Sequence, residues 1–177
     1  MTTGNLIKGN GGRLRRYRRS FHPQAHEALK LDRPGLRDRL MELYLTLDPF
    51  PEVPDVLRRL KAGGIRTAIL SNGSPIMLAS AVKHARLDDL LDYVLSVEEV
   101  GVYKPNLRVY QLAVDRLGTQ NSQISFQSSN AWDAYGSSFG MKVIWCNRYG
   151  QRKARLPGQP DCEIETLAEL PAIVGAI

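Results

Sequence analysis

Short apolar runs, each followed by a stretch with helical periodicity, restrict what this chain can fold into. The runs are IRTAILS (65–71), YVLSV (93–97), ISFQS (124–128) and KVIWCN (142–147). Such runs are typical of strands that are covered on both faces, and strands that alternate with helices form parallel sheets through right-handed crossovers. The pattern therefore predicts an α/β fold, a Rossmann-like parallel sheet with helices on both faces.

The segments between these runs have the apolar spacing of amphipathic helices. Proline opens several of them, as at Pro51, and glycine ends them, as at Gly118; both placements are typical of helix termini. The predicted helices cover roughly residues 36–47, 51–62, 75–87, 105–117 and 131–139 and the C-terminal segment TLAELPAIVGA.

The basic charge of the chain belongs to its first residues. The net charge is +6, and residues 1–20 alone contain six Lys and Arg and no acid. We therefore expect residues 1–25 to be a disordered basic tail on a neutral globular part. An Arg-rich tail that binds nucleic acid or anionic lipid is the alternative to a merely solvated one. Because the globular part shows no bias toward polyanions, nucleic acid is not the expected partner.

We expect neither a signal peptide nor a membrane span from this sequence. No stretch approaches the roughly 18 apolar residues that span a bilayer, and the first residues contain no apolar core of a signal peptide. Cys146 lies in an apolar run and is expected to be a buried thiol, which suits a reducing compartment. The sequence predicts a cytoplasmic protein without membrane contact.

Polar residues follow three of the predicted strands. The clusters are Ser71-Asn72-Gly73, Gly101-Val102-Tyr103-Lys104-Pro105 and Ser128-Ser129-Asn130-Ala131-Trp132-Asp133. Each cluster alone is compatible with ordinary turn chemistry or with a helix start. Ligands of open parallel sheets bind beyond the carboxyl ends of the strands, so the three clusters together predict an active site.

Three of these segments resemble a known family. TAILSNGSP, VGVYKPNLRVY and SSNAWDAYGSSFG resemble motifs two, three and four of the haloacid dehalogenase superfamily, and are most similar to the L-2-haloacid dehalogenases of type II. The resemblance runs from about Pro34 to the C-terminus. It implies a partial helical cap over residues 26–50 and a Rossmann-like hydrolase core over 51–177, which form the rest of the chain after the tail.

The activity that the resemblance implies is the hydrolysis of short L-2-haloacids to 2-hydroxyacids through an ester intermediate, with release of halide. In that reaction Ser71 and Asn72 would hold the substrate carboxylate and the leaving halide. Lys104 would keep a nucleophilic carboxylate ionised, since a nearby cation lowers the pKa of an acid, and Tyr110 would reach toward the same group.

The last motif supplies the remaining implied roles. Ser128 and Asn130 would orient Lys104 and the nucleophile, and Asp133 would position the water that hydrolyses the ester. Trp132 would form the apolar wall of the pocket, with plain core packing as the alternative.

Metal-dependent chemistry is the main competing interpretation. Phosphatases of this superfamily bind Mg²⁺ through an additional carboxylate four residues before the Asp at position 133, where this chain has Ser129. Mg²⁺ prefers anionic oxygen ligands, so we expect a metal-independent hydrolase without a cofactor. A phosphatase of the same superfamily and a non-catalytic binding protein with a basic tail are the alternatives.

The resemblance also implies a nucleophilic Asp at the end of a first, central strand, in a segment like D-x-Y-G-T. No such segment is found, because the early aspartates, Asp32, Asp38 and Asp48, do not follow an apolar strand. We therefore expect this chain to lack the nucleophile and to be inactive as written, as a truncated or out-of-frame version of a longer enzyme would be.

The position of that strand has a structural consequence. The resemblance places it between the strands that end at Ser71 and Ser128. Without it these two strands must pair directly or leave a gap that exposes apolar surface and unpaired backbone groups. We expect marginal stability and a tendency to aggregate or to form a homodimer.

Overall fold

A computed structural model of the protein describes residues 35–130, 133, 136, 138–153 and 158–175. The helices are α1 (Leu36–Leu43), α2 (Val53–Ala62), α3 (Pro75–His84), α4 (Leu107–Leu117) and α5 (Leu170–Val174), and the strands are β1 (Ala68–Ser71), β2 (Tyr93–Ser96), β3 (Ser125–Ser128), β4 (Lys142–Cys146) and β5 (Cys162–Ile164). The chain divides into two compact units, Met1–Leu47 and Asp48–Ile177. The predicted tail (1–25), the first part of the predicted cap (26–34) and most of the predicted helix over 131–139 lie outside the described residues.

The predicted α/β class is confirmed, because strands and helices alternate and all three pairings among the described strands are parallel. The strands nevertheless form two sheets, a two-stranded one in the order β1-β2 and a three-stranded one in the order β3-β4-β5. Strand β5 was not predicted, since three residues with a central Glu163 give no recognisable apolar run. None of the helices described is long and apolar enough to cross a membrane.

The start of helix α4 differs from the prediction for a local reason. Helix α4 begins at Leu107 and not at Pro105, because the side chain of Asn106 caps it by accepting a hydrogen bond from the backbone N–H of Arg108 at 3.0 Å. Its end is as predicted, with Gly118 in the left-handed conformation (φ 57°) that favours glycine.

Helix α4 packs against strands of both sheets. Tyr110 and Ala113 on this helix lie in one apolar cluster with Leu95 of β2. Leu70 of β1 and Phe126 of β3 pack against the same cluster. Burial of apolar surface contributes about 25 cal/mol per Å², so this helix stabilises the arrangement of the two sheets on one face of the molecule.

Helix α2 covers the three-stranded sheet. The apolar cluster on this side contains Val56, Leu60, Ile144, Cys146, Ile164 and Leu170. Helix α2 also reaches the segment that precedes β2, where the ammonium of Lys61 donates to the backbone carbonyl of Asp89 at 2.6 Å. The prediction of a buried thiol is confirmed, because Cys146 is buried and its burial raises the pKa of the thiol above the ordinary value.

The strands at the division between the sheets are less buried than the others. Strand β4, which pairs on both sides, buries every residue from Val143 to Cys146, whereas β1 and β3, which pair on one side each, bury none of theirs completely. Of the two alternatives predicted from the sequence, direct pairing of β1 with β3 is not found among the described strands.

Glu52 joins distant segments of the second unit. One of its carboxylate oxygens, Oε1, accepts hydrogen bonds from the guanidinium of Arg148 and, at 2.9 Å, from the hydroxyl of Thr166. The guanidinium also lies 3.9 Å from the ring centroid of Phe50. Burial acts to raise the pKa of Glu52, but hydrogen bonds from the backbone, Arg148 and Thr166 outweigh it and hold the pKa below the usual carboxyl value.

A Glu52→Gln variant should therefore lose stability in a pH-dependent way. A carboxyl whose pKa is lowered by folding stabilises the native state above its unfolded pKa, and this contribution is lost as the pH falls through the folded pKa. We expect a loss of about 1–3 kcal/mol near pH 7, which shrinks toward about pH 3. Urea unfolding at both pH values measures it, with the exposed Glu165→Gln as the matched control. An equal loss at both pH values would contradict the role of the ionised carboxylate.

Candidate active site

The loops that follow β1, β2 and β3 carry the residues predicted to form the site. In the first sheet Ser71 aligns with Ser96, and in the second Ser128 aligns with Trp145. The strands are parallel, so each sheet presents its carboxyl end at one edge. Loops from both sheets contribute to the contacts described below.

The centre of the site is a largely buried ion pair. The ammonium Nζ of Lys104 donates to Oδ2 of Asp133 at 3.0 Å, and the two side chains are only 15% and 7% exposed. The hydroxyl of Ser128 donates to the same oxygen at 2.6 Å. The backbone N–H of Asn130 in turn donates to the hydroxyl of Ser128 at 3.0 Å. Both donors bind Oδ2, and no described residue donates to Oδ1 of Asp133.

The loop after β1 is held to this centre through Asn72. Its side-chain oxygen accepts a hydrogen bond from the backbone N–H of Lys104 at 3.1 Å. The hydroxyl of Ser71 accepts from the N–H of Gly73 at 3.0 Å and so stays within its own turn. Ser96, which is 2% exposed, donates to the carbonyl of Gly73 at 2.7 Å. Ser96 was not predicted as part of the site, although its position at the carboxyl end of β2 would have indicated it.

Tyr110 lies on α4 and is completely buried. Its ring meets that of Phe126 edge to face, with centroids 5.8 Å apart and an interplanar angle of 83°. Its hydroxyl has no hydrogen-bond partner in the described part of the chain. Burial, and then the negative charge of Asp133, raise the pKa of Tyr110 above its usual range. The hydroxyl therefore remains a protonated donor.

Phe126 is a second residue that the sequence did not indicate. The Nζ of Lys104 lies 5.5 Å from its ring centroid, a distance at which a cation is attracted to an aromatic face. Phe126 and Ser128 are two residues apart in β3 and so lie on the same face of the strand. This shared face with Ser128, a predicted site residue, is the sequence signal that could have indicated Phe126.

The structure brings most of the predicted residues together, but not all of them. The side chains of Lys104 and Ser128 both bind that of Asp133. Asn72 joins them through its side-chain oxygen, which accepts from the backbone N–H of Lys104, and Asn130 through its own backbone N–H, which donates to Ser128. No contact places the side chain of Ser71 against the ion pair, and Trp132 lies outside the described residues. In the described ranges no three His, Cys, Asp or Glu side chains are grouped as metal ligands would be.

The unpartnered hydroxyl of Tyr110 leads to a stability prediction. A buried hydroxyl without a partner costs free energy, so its removal at constant shape is expected to be favourable. We expect Tyr110→Phe to raise the free energy of unfolding of this chain by up to about 1 kcal/mol. Thermal and urea unfolding measure the change, and Tyr103→Phe, at a half-exposed site, is the matched control. A loss of stability in Tyr110→Phe would show that the hydroxyl has a partner in solution.

Comparison with known proteins identifies the family of this chain. The family model for haloacid dehalogenase-like hydrolases matches residues 4–136. The chain belongs to this family. Among curated members, it is 49% identical over 143 residues to the (S)-2-haloacid dehalogenase of Pseudomonas sp. strain YL, an alignment that covers 80% of this chain and 61% of the relative. The chain thus spans about three fifths of the length of that relative.

Solved structures of the family have the same fold. One L-2-haloacid dehalogenase superposes with a TM-score of 0.79 at 38% identity, covering 86% of this chain and 68% of the other. The L-2-haloacid dehalogenase of Xanthobacter autotrophicus with chloropropionic acid covalently bound superposes with a TM-score of 0.75 at 28% identity, covering 84% and 70%. These likenesses confirm the family and the Rossmann-like α/β class that the sequence predicted.

Proposed function

We propose that this chain provides most of the active site for hydrolytic dehalogenation of short L-2-haloacids to 2-hydroxyacids. The observation that carries the proposal is the buried Lys104–Asp133 pair at the carboxyl ends of parallel strands, in a chain whose relatives are named for this reaction. The reaction needs a carboxylate nucleophile, a cation beside it and a base for water. The pair supplies the last two.

In the first step of the proposed reaction a carboxylate oxygen attacks C2 of the substrate from the side opposite the halogen. The carbon–halogen bond breaks, the halide leaves with the bonding electrons, and an ester forms. Lys104 keeps the attacking carboxylate ionised, and the buried hydroxyl of Tyr110 donates to it. Ser71 and Asn72 bind the substrate carboxylate and the halide, and Trp132 forms the apolar wall.

In the second step water hydrolyses the ester. Asp133 takes a proton from water through Oδ1, the oxygen to which no described residue donates, while Lys104 and Ser128 hold Oδ2. Water attacks the acyl carbon and the acyl carbon–oxygen bond breaks. The leaving alkoxide takes back the proton from Asp133 to give the 2-hydroxyacid, and the carboxylate re-forms with release of the other proton of the water. Asn130 fixes the hydroxyl of Ser128 through its backbone N–H. No cofactor takes part in this proposal.

The attacking carboxylate is not Asp133 in this proposal, because Asp133 acts as the base in the second step. We propose that the chain as written lacks the nucleophile and gains activity when an upstream strand that ends in Asp is joined to it. The substrate and the halide are then its only small-molecule partners. A homodimer and a cytoplasmic location remain predictions from the sequence.

Halide release from the two enantiomers of 2-chloropropionate tests the proposed function. The protein for this test has an N-terminal segment fused to it that supplies an Asp-bearing strand. We expect chloride release from the (S) enantiomer only, with lactate of inverted configuration as the product. The Lys104→Ala variant should release none, whereas Lys83→Ala, which changes an exposed lysine on α3, should retain full activity.

A phosphatase assay with p-nitrophenyl phosphate and Mg²⁺ distinguishes the proposed function from its main alternative, a phosphatase of the same superfamily. Ser129 stands where phosphatases of the superfamily need a carboxylate, so we expect no phosphate release. Mg²⁺-dependent phosphate release without chloride release would replace the proposed function by the phosphatase one.

A further inference from the structure

The loop after β1 contains a chemically labile dipeptide, Asn72–Gly73. Asparagine is prone to deamidation, and most of all before glycine, because glycine has no side chain to shield its backbone nitrogen from the preceding amide. The same dipeptide occurs at Asn10–Gly11, outside the described residues. The proposed function makes no use of this reactivity.

The packing of the turn explains why glycine follows Asn72. A Cβ on Gly73 would lie 3.1 Å from Cδ2 of Leu78 on α3 and 3.3 Å from the hydroxyl oxygen of Ser71. Both distances are shorter than ordinary van der Waals contacts, so a larger residue would force the helix or the turn to move. The space available in this loop therefore keeps the labile dipeptide in it.

Three hydrogen bonds hold the groups that would have to react. The backbone N–H of Gly73 donates to the hydroxyl of Ser71 at 3.0 Å. The carbonyl of Gly73 accepts at 2.7 Å from the hydroxyl of Ser96, a residue that is only 2% exposed. The side-chain oxygen of Asn72 accepts from the backbone N–H of Lys104 at 3.1 Å. Gly73 is thus fixed at its nitrogen and its oxygen, and the amide of Asn72 at its oxygen.

We propose that Asn72 is a deamidation site that these three hydrogen bonds protect. In the reaction the backbone nitrogen of Gly73 forms a bond to Cγ of Asn72, the bond from Cγ to Nδ2 breaks, and the proton of the nitrogen leaves with the amide as ammonia. One water molecule then opens the resulting succinimide to aspartate or isoaspartate at position 72. Ring closure moves both residues away from their partners, so it proceeds from a locally opened turn.

Deamidation would change the charge and the length of the loop. Either product adds one negative charge at position 72, and isoaspartate also adds one carbon to the main chain. The proposed function gives Asn72 a part in binding the substrate carboxylate. On that function, on which this consequence rests, the new charge would repel the substrate, so Asn72 would be the position at which ageing inactivates the site.

Peptide mapping by mass spectrometry tests the proposal on the chain as it is. The native protein and the urea-unfolded protein are incubated in the same buffer, and ammonia loss and the gain of aspartate or isoaspartate are followed at position 72. We expect deamidation of Asn72 to be at least about tenfold slower in the native protein, because the turn reacts only when it opens.

Three variants locate the protection. Ser96→Ala removes the donor to Gly73 and should accelerate native deamidation about fivefold, the effect of one ordinary hydrogen bond on an opening equilibrium. Ser125→Ala removes a hydroxyl that accepts only from Gln127 among the described residues and should leave the rate unchanged. Glu52→Gln weakens contacts elsewhere in the fold and should also leave it unchanged, since the opening is local. Asn10 deamidation is the internal reference and should be equal in all variants.

Two outcomes would overturn the proposal. Equal rates at Asn72 in native and unfolded protein would show that the hydrogen bonds protect nothing, and this comparison needs no variant to fold. Equal acceleration by Ser96→Ala and Glu52→Gln would show that the whole chain must unfold before Asn72 reacts. Chloride release is not measured in either arm, so a failure of the proposed function would not change these results.

Discussion

Asp133→Ala is expected to destabilise the chain by about 3–5 kcal/mol, the usual cost of breaking a buried ion pair from one side. The substitution leaves the ammonium of Lys104, whose side chain is 15% exposed, without its counter-ion. It also removes the acceptor of the Ser128 hydroxyl. Urea unfolding followed by circular dichroism measures the loss. Asp133→Asn keeps the shape and one acceptor oxygen, so its free energy of unfolding should lie between those of the unaltered protein and Asp133→Ala. It remains measurable if the Ala variant does not fold.

A double-mutant cycle shows whether the cost comes from the unpaired charge. The cycle combines the single variants Lys104→Met and Asp133→Ala. The double variant removes both charges, so we expect it to be more stable than Asp133→Ala alone. Arg58→Met removes one partner of an exposed pair with Asp55, in which the side chains are 61% and 71% exposed, and should change the unfolding midpoint very little. Additive losses in the cycle would contradict a coupled buried pair.

The chain as written is expected to release chloride from (S)-2-chloropropionate at the background rate. Covalent displacement needs an ionised carboxylate held in line with the carbon–halogen bond, and a misplacement of about 1 Å can cost about a hundredfold. Supplying an upstream Asp-bearing strand by fusion should raise the rate on the order of 10³-fold or more. Ion-selective detection of chloride at saturating substrate measures both rates.

The matched control is the same fusion with Asn in place of the supplied Asp, which should return the rate to background. In the active fusion Asp133→Ala should abolish steady turnover and leave a single round of halide release, because ester formation precedes the step that Asp133 serves. Mass spectrometry would detect the trapped ester. Rapid turnover by the unfused chain that survives Asp133→Ala would contradict both the missing nucleophile and the assigned roles.

Much of the fold was predictable because its signals are local. The apolar runs predicted four of the five described strands, and proline and glycine placed the helix ends within a few residues. The rule that parallel sheets bind ligands at their carboxyl ends selected the polar clusters that contain Lys104, Ser128 and Asp133, and the family resemblance singled out these three residues before any contact was known. The structure brings these three side chains within hydrogen-bond distance.

Contacts between distant residues were not predictable in the same way. The carboxylate of Glu52 binds Arg148, which is 96 positions away, and no local pattern indicates such a partner. The ammonium of Lys104 lies over the ring of Phe126. Lys104 and Ser128 both donate to the same oxygen of Asp133, Oδ2. These details depend on side-chain rotamers, which packing among several elements selects.

The division of the strands into two sheets separates what the local sequence pattern determines from what the tertiary structure determines. The apolar runs of β1 and β3 specify strands that belong inside a sheet, since they are apolar without alternation. Whether two such strands pair with each other depends on the helices and loops that hold them, here α4 and the Asn72–Lys104–Asp133 hydrogen bonds. Strand formation follows from the residues of each segment, whereas pairing is a property of the assembled chain, and so only the structure decided that β1 and β3 are not paired with each other among the described strands.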